Sequence, residues 1–476
     1  MFDVSVIGGG VIGGAVLREL SKYDLKIVML ERDTDVCTGQ SKANSGISHA
    51  GYDAKSGSLK AKFNVLGSKM MPSYAEELGV KYRNNGSLVV AYSEEEIKTL
   101  HELKARGEQN GVSGLEIIGK DELKKLEPNI SDLAVGALNA TTGGIVCPYE
   151  LTIAEIGNAM DNGAELYLDF EVSSIEKVDG GYIVKSSNGK EVKSKVVINC
   201  AGLSSGKIAK MVGDNSFEIG GRKGEYVLLD RESGDFCSHT IFKTPTEKGK
   251  GILVTQTVDG NILLGPTAEV VDDGETYTSQ VGLDFVINTA NEIMNKVPLY
   301  NTITSFAGVR AFSDRHDFII EESGVAKGFI NVAGIESPGL TSAPAIGKYV
   351  VEELVSKLLT LSKKENFNGR RTPDYFFKNL SVEEKNEIIK KDKRYGKIVC
   401  RCEEITEGEI VRAIHENPKA TTVDAVKRRV RAGMGRCQGG FCQPHVAEII
   451  ARELGIKMEE VLKSSKNSEL LIGKTK

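Results

Sequence analysis

Four of the eight cysteines lie close together near the C-terminus and could bind a metal centre. They form two pairs, Cys400-x-Cys402 and Cys437-x4-Cys442, with 34 residues between the pairs. Four thiolates in two pairs can hold either a tetrahedral zinc ion or a [2Fe–2S] cluster. Zinc sites more often use a two-residue gap, so the single residue between Cys400 and Cys402 favours the cluster. Spacing alone leaves zinc open as the alternative.

A second chemical motif is a glycine turn near the N-terminus, Gly8-x-Gly10-x-x-Gly13. The pattern predicts a strand at 3–7, a helix after the turn, and a second strand that ends at Glu31. The first glycine permits the turn, the second lets the backbone approach a diphosphate, and the third lets helix and strand pack closely. Glu31 can accept hydrogen bonds from ribose hydroxyls. The motif therefore predicts a dinucleotide site.

Two further segments have a composition that suits contact with a bound cofactor. Residues 37–51 are small and polar, which lets the backbone pass close beneath a large cofactor. Residues 331–341 read as a strand, a glycine turn and the start of a helix that runs through 343–359. Backbone N–H groups at such a helix start can face an electron-rich ring edge.

The elements that position these motifs are strands and turns. Residues 165–199 predict β-structure with turns at Gly180 and Gly189. The stretch 225–267 is rich in strands and polar turns, which predicts an antiparallel sheet. Residues 361–394 are polar and rich in lysine, as expected of a linker over the surface.

Composition limits the class of protein. The chain has 476 residues, of which 40% are hydrophobic and 27% charged, so it has room for two to four globular domains. The balance of 61 Lys and Arg against 66 Asp and Glu gives no support for nucleic-acid binding. We expect no transmembrane span, because every apolar run of 18 residues contains charges. The N-terminus has no basic region typical of a signal peptide, so we expect a cytoplasmic protein, with docking at the inner face of the cell membrane left open.

The remaining cysteines are scattered along the chain. They are Cys37, Cys147, Cys200 and Cys237. Isolated cysteines of this kind are more often small buried apolar residues than nucleophiles. We therefore expect them to lie in the core.

Residues 1–360 resemble the D-amino-acid-oxidase-like flavoprotein superfamily. The motifs that carry the resemblance are the glycine turn, Asn44-Ser45-Gly46 with His49, and residues 144–148, 198–202, 222–226, 264–267, 307–310 and 334–341. The glycerol-3-phosphate and L-2-hydroxyglutarate dehydrogenase branches are the most similar. The resemblance implies FAD and the removal of a hydride from a carbon that bears a hydroxyl or an amine.

The same resemblance indicates which residues contact FAD. They are Gly8, Gly10, Gly13, Glu31, Arg32, Ser45, Val172, Gly202, Gly334, Gly339, Leu340 and Thr341. It implies that the backbone of Val172 holds the adenine and that Gly202 lies near the diphosphate. Ser45 and residues 339–341 would border the isoalloxazine ring.

The C-terminal motifs, 399–406 and 431–442, resemble the bacterioferritin-associated ferredoxin-like domain, with a match over about 396–455. The resemblance implies a [2Fe–2S] cluster held by the four clustered cysteines, and short helices at 407–415 and 423–430. The basic run 427–431, together with Arg436, has two interpretations: a solvated helix face, or charge that stabilises the anionic cluster.

We therefore expect an α/β fold: a Rossmann-like FAD-binding domain with an inserted antiparallel-sheet substrate domain, and a small helical iron–sulfur domain. The predicted boundaries are about 1–85, 145–220 and 305–360 for FAD binding, 86–144 and 221–304 for the substrate sheet, 361–394 for the linker, 395–456 for the iron–sulfur domain and 457–476 for the tail.

Hydride transfer to a flavin needs a base for the substrate proton and a cation for an anionic substrate group. His49, in the segment expected near the flavin, is the candidate base or substrate ligand. Arg310, expected at a strand end, is the candidate for binding a phosphate or carboxylate. A structural hydrogen-bonding role for His49 is the alternative.

Other charged residues are weaker candidates. Arg222 and Lys223 are expected to face solvent, because they come just before a predicted strand. His316 is expected in a surface loop. By family resemblance, Glu225 and Tyr226 line the substrate cavity.

Two branches of the family compete for the substrate. The glycerol-3-phosphate branch has an arginine where this chain has Asp53, and residues 44–65 look more like the L-2-hydroxyglutarate branch. The cysteine module resembles the glycerol-3-phosphate branch. The leading expectation is oxidation of sn-glycerol 3-phosphate to dihydroxyacetone phosphate, with electrons leaving through the cluster to a second redox subunit or carrier. A 2-hydroxy acid or an amino acid as the substrate, or a purely electron-transferring subunit, are the alternatives.

Overall fold

The computed structural model describes residues 1–245, 251–272, 274–372 and 377–473. Three parts of the predicted layout fall outside the described residues: 246–250 and 273 in the substrate domain, 373–376 in the linker and 474–476 in the tail. Within the described ranges, no helix combines the length and the apolar character that crossing a bilayer requires.

The described strands follow in chain order. They are β1 (Phe2–Ile7), β2 (Ile27–Leu30), β3 (Ile47–Ser48), β4 (Tyr82–Arg83), β5 (Ser87–Ala91), β6 (Leu115–Gly119), β7 (Gly136–Ala140), β8 (Gly144–Val146), β9 (Glu165–Tyr167), β10 (Val172–Val178), β11 (Gly181–Ser186), β12 (Glu191–Asn199), β13 (Ile219–Leu229), β14 (Thr240–Lys243), β15 (Leu253–Gln256), β16 (Ile262–Gly265), β17 (Glu269–Val271), β18 (Thr302–Ser313), β19 (Ile319–Glu322), β20 (Phe329–Ala333), β21 (Ile398–Cys400) and β22 (Ile405–Thr406).

The described α-helices alternate with these strands. They are α1 (Val11–Leu20), α2 (Leu59–Glu77), α3 (Glu94–Gln109), α4 (Lys120–Leu126), α5 (Pro148–Asp161), α6 (Ser205–Lys210), α7 (Gln280–Ile293), α8 (Gly339–Tyr349), α9 (Val382–Lys391), α10 (Glu407–His415), α11 (Val423–Val430) and α12 (Gln443–Leu454).

The first sheet carries the dinucleotide motif. Its order is β10-β11-β12-β1-β2-β9, with β20 beside β12 and β19 beside β20. The strands β20, β12, β1, β2 and β9 run parallel. The central strands β20, β1 and β2 are almost wholly buried, as expected when helices cover the sheet. Helix α1 packs against both α5 and α8 over this sheet. The close approach of α8 to α1 needs Gly347, because a Cβ there would lie 2.7 Å from the carbonyl oxygen of Ala15.

The second sheet forms the other wall of the molecule. Its order is β17-β13-β16-β15-β14-β5-β7-β6, and β18 also pairs with β13. All these pairs are antiparallel except that of β14 with β5. Strand β18 was predicted among the FAD-binding segments, but the structure places it in this second sheet. Its pairing with β13 sets Arg222 directly opposite Arg310.

The C-terminal domain has a small core of its own. Helices α10, α11 and α12 surround the β21–β22 hairpin, and Cys400 and Cys442 belong to that core. The segment predicted to be a linker is partly helical, because Ser381 and Glu384 form a capping box that starts α9. Farther upstream, Lys364 donates its backbone N–H to the carbonyl of Lys22, so this segment lies against the first sheet's domain.

Candidate functional site

A single cavity of about 1100 Å³ extends between the two sheets and reaches the C-terminal domain. Its wall includes Gly8 and Glu31 at one end, His49 and Arg310 in the middle, and Met434 from the cysteine module. The structure therefore brings the dinucleotide motif, the catalytic candidates and the metal module to one continuous space.

The glycine turn is shaped for close approach of a ligand. Gly8 has φ +108°, and a Cβ there would lie 2.5 Å from the carbonyl oxygen of Cys200. A Cβ at Gly13 would lie 2.0 Å from the carbonyl oxygen of Gly8, so Gly13 serves helix packing and is not part of the cavity wall. Gly10 precedes the first turn of α1 and lines the cavity. This turn and helix start fit a dinucleotide diphosphate.

Glu31 stands at the carboxyl end of β2, where the motif predicts the ribose. Its carboxylate accepts hydrogen bonds from the backbone N–H groups of Gly9, at 2.6 Å, and Asp33, at 3.0 Å. Burial raises the pKa of Glu31, which these two donors partly oppose. The neighbouring Arg32 is exposed, with Nη1 3.5 Å from the Ser204 hydroxyl. Both residues line the cavity.

The other predicted FAD contacts divide into two groups. The cavity wall includes Ser45, Val172, Gly202, Gly339 and Leu340. Gly334 and Thr341 lie outside the wall. Gly334 has φ +64°, and a Cβ would lie 2.7 Å from that of Ser313, so it forms the turn before α8. The structure therefore gives Gly334 a role in the backbone turn, and its contact with FAD stays a prediction.

Thr341 holds the segment that carries the candidate base. Its hydroxyl accepts the backbone N–H of His49 at 2.9 Å and donates to the carbonyl of Ile47 at 3.2 Å. Asn64 donates to the carbonyl of His49 at 2.6 Å, and Nε2 of His49 lies 3.3 Å from the Ser337 hydroxyl. The backbone of His49 is thus held by Thr341 and Asn64, and its imidazole is held by Ser337.

Arg310 differs from Arg222 and Arg431 in having no carboxylate partner among the described residues. It donates from Nη2 to the carbonyl of Thr267 at 3.0 Å, while its buried Nε has no hydrogen-bond partner. Among the residues that the structure describes, none places a carboxylate within 4 Å of this guanidinium. Arg310 is half-buried, and a cation that lines a cavity with a buried, unpaired N–H and no counter-charge has the geometry of a site for an anionic ligand.

Strand β13 shows that the predictions for Lys223 and Glu225 were wrong. Side chains alternate along a strand, so Arg222 and Tyr226 face the cavity while Lys223 and Glu225 face the opposite side. Lys223 is 3% exposed, and its Nζ lies 3.3 Å from the carboxylates of both Glu225 and Glu269.

Arg222 and Tyr226, on the cavity face of β13, are held by contacts with neighbouring side chains. Arg222, also predicted to face solvent, donates to Glu336 at 3.1 Å, and Lys60 binds the same carboxylate at 2.8 Å. Tyr226 stacks on Phe306 with 4.8 Å between ring centroids. Glu336 thus offsets the charge on Arg222, unlike that on Arg310.

Two other predictions concern residues away from this wall. His316 is exposed in a turn with φ +58° and is not part of the cavity wall, as expected of a surface residue. All four scattered cysteines are buried, and burial raises the pKa of each thiol.

The four clustered thiols form two separate pairs. Sγ of Cys402 lies 3.5 Å from Sγ of Cys437. Cys442 hydrogen-bonds Cys400 and lowers its pKa to about 6. A zinc ion with Zn–S bonds of about 2.3 Å would bring all four sulfurs to about 3.8 Å from one another. Within the described residues, no three cysteine sulfurs lie within 4.8 Å of one another, so the donor set fits an elongated two-iron cluster better.

The basic run of α11 is not a solvated helix face, and that interpretation was wrong. Arg428, Arg429 and Arg431 are 6%, 7% and 4% exposed. Arg429 and Arg428 both bind the carboxylate of Asp35, the former at 2.8 Å. Burial alone would raise the pKa of Asp35, but the two guanidinium groups outweigh it and lower the pKa. These ion pairs join the C-terminal domain to the loop that follows Glu31.

Arg431 connects the cysteine module to the cavity wall. It has the left-handed φ of +65° at the end of α11, and its guanidinium binds Asp259 at 2.6 Å and Glu403 at 3.0 Å. Glu403 directly follows Cys402, and Asp259 lines the cavity. Sequence patterns missed this connection, because Asp259 and Arg431 are 172 positions apart.

Comparison with known proteins identifies both parts of the chain. A family model described as FAD dependent oxidoreductase matches residues 3–353, and one described as BFD-like [2Fe-2S] binding domain matches residues 398–452. A glycerol 3-phosphate dehydrogenase of Caloramator mitchellensis is 53% identical over 477 residues, which covers 100% of this chain and 99% of the relative. An L-2-hydroxyglutarate dehydrogenase of Escherichia coli (strain K12) is 31% identical over 62% of this chain and 69% of its own length.

A solved structure shows the same architecture. The dithionite-reduced L-alpha-glycerophosphate oxidase of Mycoplasma pneumoniae, with FAD bound, superposes with a TM-score of 0.75 and 32% identity. The match covers 79% of this chain and 99% of the oxidase. About a fifth of this chain therefore has no counterpart in the oxidase.

Proposed function

The chain belongs to the FAD dependent oxidoreductase family and carries a BFD-like [2Fe-2S] binding domain, and from this premise we propose that it oxidises sn-glycerol 3-phosphate to dihydroxyacetone phosphate. The observation that carries the proposal is Arg310, a half-buried arginine whose Nε is buried and unpaired and whose guanidinium has no carboxylate within 4 Å among the described residues, in the same cavity as His49. The full-length relative named glycerol 3-phosphate dehydrogenase supports this choice of substrate.

The chain's own residues divide the chemistry as follows. Arg310 binds the phosphate through charge-assisted hydrogen bonds from Nη and Nε. His49 accepts the proton of the substrate hydroxyl on Nε2, and its backbone contacts to Thr341 and Asn64 keep the ring in place. Phe242 and Leu253 line the same space and exclude water. When bound, FAD accepts the hydride from the substrate carbon, and a [2Fe–2S] cluster accepts electrons one at a time.

A dehydrogenase fits this chain better than an oxidase. Oxygen can reoxidise a flavin directly, so an oxidase has no need of a one-electron relay in the same chain. The glycerophosphate oxidase structure leaves about a fifth of this chain unmatched, whereas the full-length dehydrogenase relative leaves none. We propose a second redox subunit or an electron carrier as the acceptor. A place for that partner at the inner face of the cell membrane stays a prediction.

L-2-Hydroxyglutarate is the second candidate substrate. Asp53 lines the cavity where an arginine was expected for phosphate, and Arg310 could bind a carboxylate equally well. The relatives named L-2-hydroxyglutarate dehydrogenase support this candidate.

An anaerobic substrate panel tests the proposal. The holoenzyme is mixed with sn-glycerol 3-phosphate, L-2-hydroxyglutarate or an L-amino acid, and the visible flavin band is followed. We expect rapid bleaching with glycerol 3-phosphate and at least 100-fold slower bleaching with the other two. Faster bleaching by L-2-hydroxyglutarate would transfer the assignment to the 2-hydroxy-acid branch, and bleaching by none of them would refute the dehydrogenase.

A further inference from the structure

The C-terminal domain forms part of the cavity wall in which the dinucleotide motif lies. Helix α11 contributes Asp424, Lys427 and Arg428 to the same cavity as Gly10 and Glu31. A domain whose own ligand is a metal cluster would not need to reach this end of the cavity.

The charges at this end are not all balanced. Arg428 is matched by Asp35, and Asp424 is matched by Lys463 at 2.7 Å. Lys427 and Lys42 have no carboxylate within 4 Å among the residues that the structure describes. Lys427 is half-buried and Lys42 is exposed, and the nearby carboxylate of Asp424 is already paired with Lys463. Two ammonium groups in one wall without an ion pair of their own in the described part of the chain favour an anionic ligand.

Desolvation lowers the pKa of both ammonium groups. For Lys427 the charge of Asp424 opposes this lowering, and the nearby charges of Lys463, Arg428 and Lys42 add to it. For Lys42 the charge of Arg428 again adds to the lowering of the pKa. A phosphate group would reverse this effect, because an adjacent anion stabilises the charged form of a lysine.

The position of Lys42 relates this pair of lysines to the start of α1. Lys42 follows Ser41, whose hydroxyl accepts the backbone N–H of Val11 at 3.0 Å, in the first turn of the helix. The N-terminus of α1 after the glycine turn is where a dinucleotide diphosphate binds. Lys42 is therefore adjacent to the diphosphate position, and Lys427 faces it from the other domain.

We propose that the C-terminal domain completes the FAD site, with Lys427 of α11 and Lys42 binding the diphosphate of FAD from the side opposite the glycine turn. The docking contacts support this, because Asp35, which holds Arg428 and Arg429, lies four positions after Glu31 in the same loop. FAD binding and docking of the iron–sulfur domain are thus linked, and the electron path is completed only when FAD is bound.

The test uses the full-length, cluster-loaded protein from which FAD has been removed. Binding of ADP and of adenosine is measured by calorimetry or by competition with FAD, since only ADP carries the diphosphate. For Lys427→Gln we expect an ADP Kd about 10-fold higher, the loss of one charge-assisted hydrogen bond, and an unchanged adenosine Kd. Lys427→Arg should restore most of the ADP affinity.

A matched control lies in the same domain. Lys419 is exposed and is not part of the cavity wall, so Lys419→Gln removes the same charge without affecting the site. It should leave both Kd values unchanged, and ADP binding by Lys427→Gln should also depend less steeply on salt. An unchanged ADP Kd in Lys427→Gln, or an equal loss of ADP and adenosine affinity, would overturn the proposal.

Discussion

The substrate end of the cavity and the interface with the iron–sulfur domain differ in how their charged side chains are paired. At the interface, Asp35 is shared by Arg428 and Arg429, and Arg431 bridges two carboxylates. At the substrate end, Arg310 has one carbonyl partner and an unpaired Nε. Matched charges hold the two domains together, whereas the unmatched charge is available to a ligand.

The difference has an energetic consequence. Removing one member of a buried, matched ion pair leaves a charge without a partner and costs about 3–5 kcal/mol of stability. Removing a buried charge that had no partner costs little stability, because no carboxylate is left unpaired. Substitutions at the interface should therefore affect folding and docking, and substitutions at the substrate end should affect binding.

The largest expected effect comes from changing a cysteine of the cluster, which should remove the cluster and leave the substrate end of the cavity intact. Cys402→Ser removes one thiolate of the pair formed by Cys402 and Cys437. The visible absorbance of the cluster and the activity with a one-electron acceptor should therefore both be lost. Substrate-driven bleaching of the flavin band should remain within about twofold of wild type, because the substrate wall is unchanged. Loss of flavin bleaching as well would show that the cluster is needed to fold the FAD-binding domain. Cys237→Ser, at a buried cysteine outside the module, is the matched control.

The next effect tests the interface. Asp35→Asn should lower the free energy of unfolding by about 3 kcal/mol, since two arginines lose their counter-charge. The pKa of Asp35 is lowered in the folded protein. The stability it contributes is therefore present above its unfolded pKa of about 3.9 and is lost as the pH falls below that value.

Urea unfolding at several pH values measures both quantities for Asp35. The exposed pair of Asp392 with Arg394 is the control, and Asp392→Asn should change the free energy of unfolding by less than about 1 kcal/mol. Equal effects of the two substitutions would contradict the distinction between matched buried pairs and surface pairs.

A smaller effect is expected at Arg310. Arg310→Ala should raise KM for the anionic substrate about 10- to 100-fold, the worth of one to two charged hydrogen bonds, and leave the melting temperature within about 2 °C. Steady-state kinetics with an artificial acceptor and a thermal melt measure the two. Arg315→Ala, which removes an exposed arginine paired with Glu321, should change neither. A large fall in melting temperature with an unchanged KM would make Arg310 a structural residue.

The smallest effect tests the two faces of β13. Tyr226 faces the cavity and Glu225 faces away, where it accepts the backbone N–H of Ser279 at 2.9 Å. Tyr226→Phe should raise KM about threefold through the loss of one neutral hydrogen bond, while Glu225→Gln should lower stability and leave KM unchanged. The reverse pattern would mean that the faces have been assigned the wrong way round.

Much of this organisation follows from local sequence patterns. The α/β fold, FAD and the [2Fe–2S] cluster are confirmed, because the glycine turn and the paired cysteines are short motifs whose chemistry depends on neighbouring residues. The interface was not predictable in this way. Asp35 and Arg428 are 393 positions apart, so nothing near the basic run showed that a carboxylate would bury it.

Errors at the substrate wall have a different cause. Arg222 and Lys223 were expected just before a strand, but β13 begins at Ile219, so both residues lie within it. Side chains alternate between the two faces of a strand, so one of these residues faces the cavity and the other faces away. Thr341 and Gly334 were expected at the flavin; the structure shows Thr341 holding the backbone of His49 and Gly334 in the turn before α8, and their contact with FAD stays a prediction. The family motif identifies the segments that form the cavity wall. It does not separate the residues that line the cavity from those that support the backbone behind them.

The central claim is that oxidation of glycerol 3-phosphate at the flavin end delivers electrons to the cluster in the same chain. Anaerobic mixing of the holoenzyme with sn-glycerol 3-phosphate, followed by freeze-quench electron paramagnetic resonance, tests it directly. The account predicts that the flavin band bleaches and that the signal of a reduced [2Fe–2S] cluster then appears. A bleached flavin with a cluster that stays oxidised, or no bleaching at all, would contradict it.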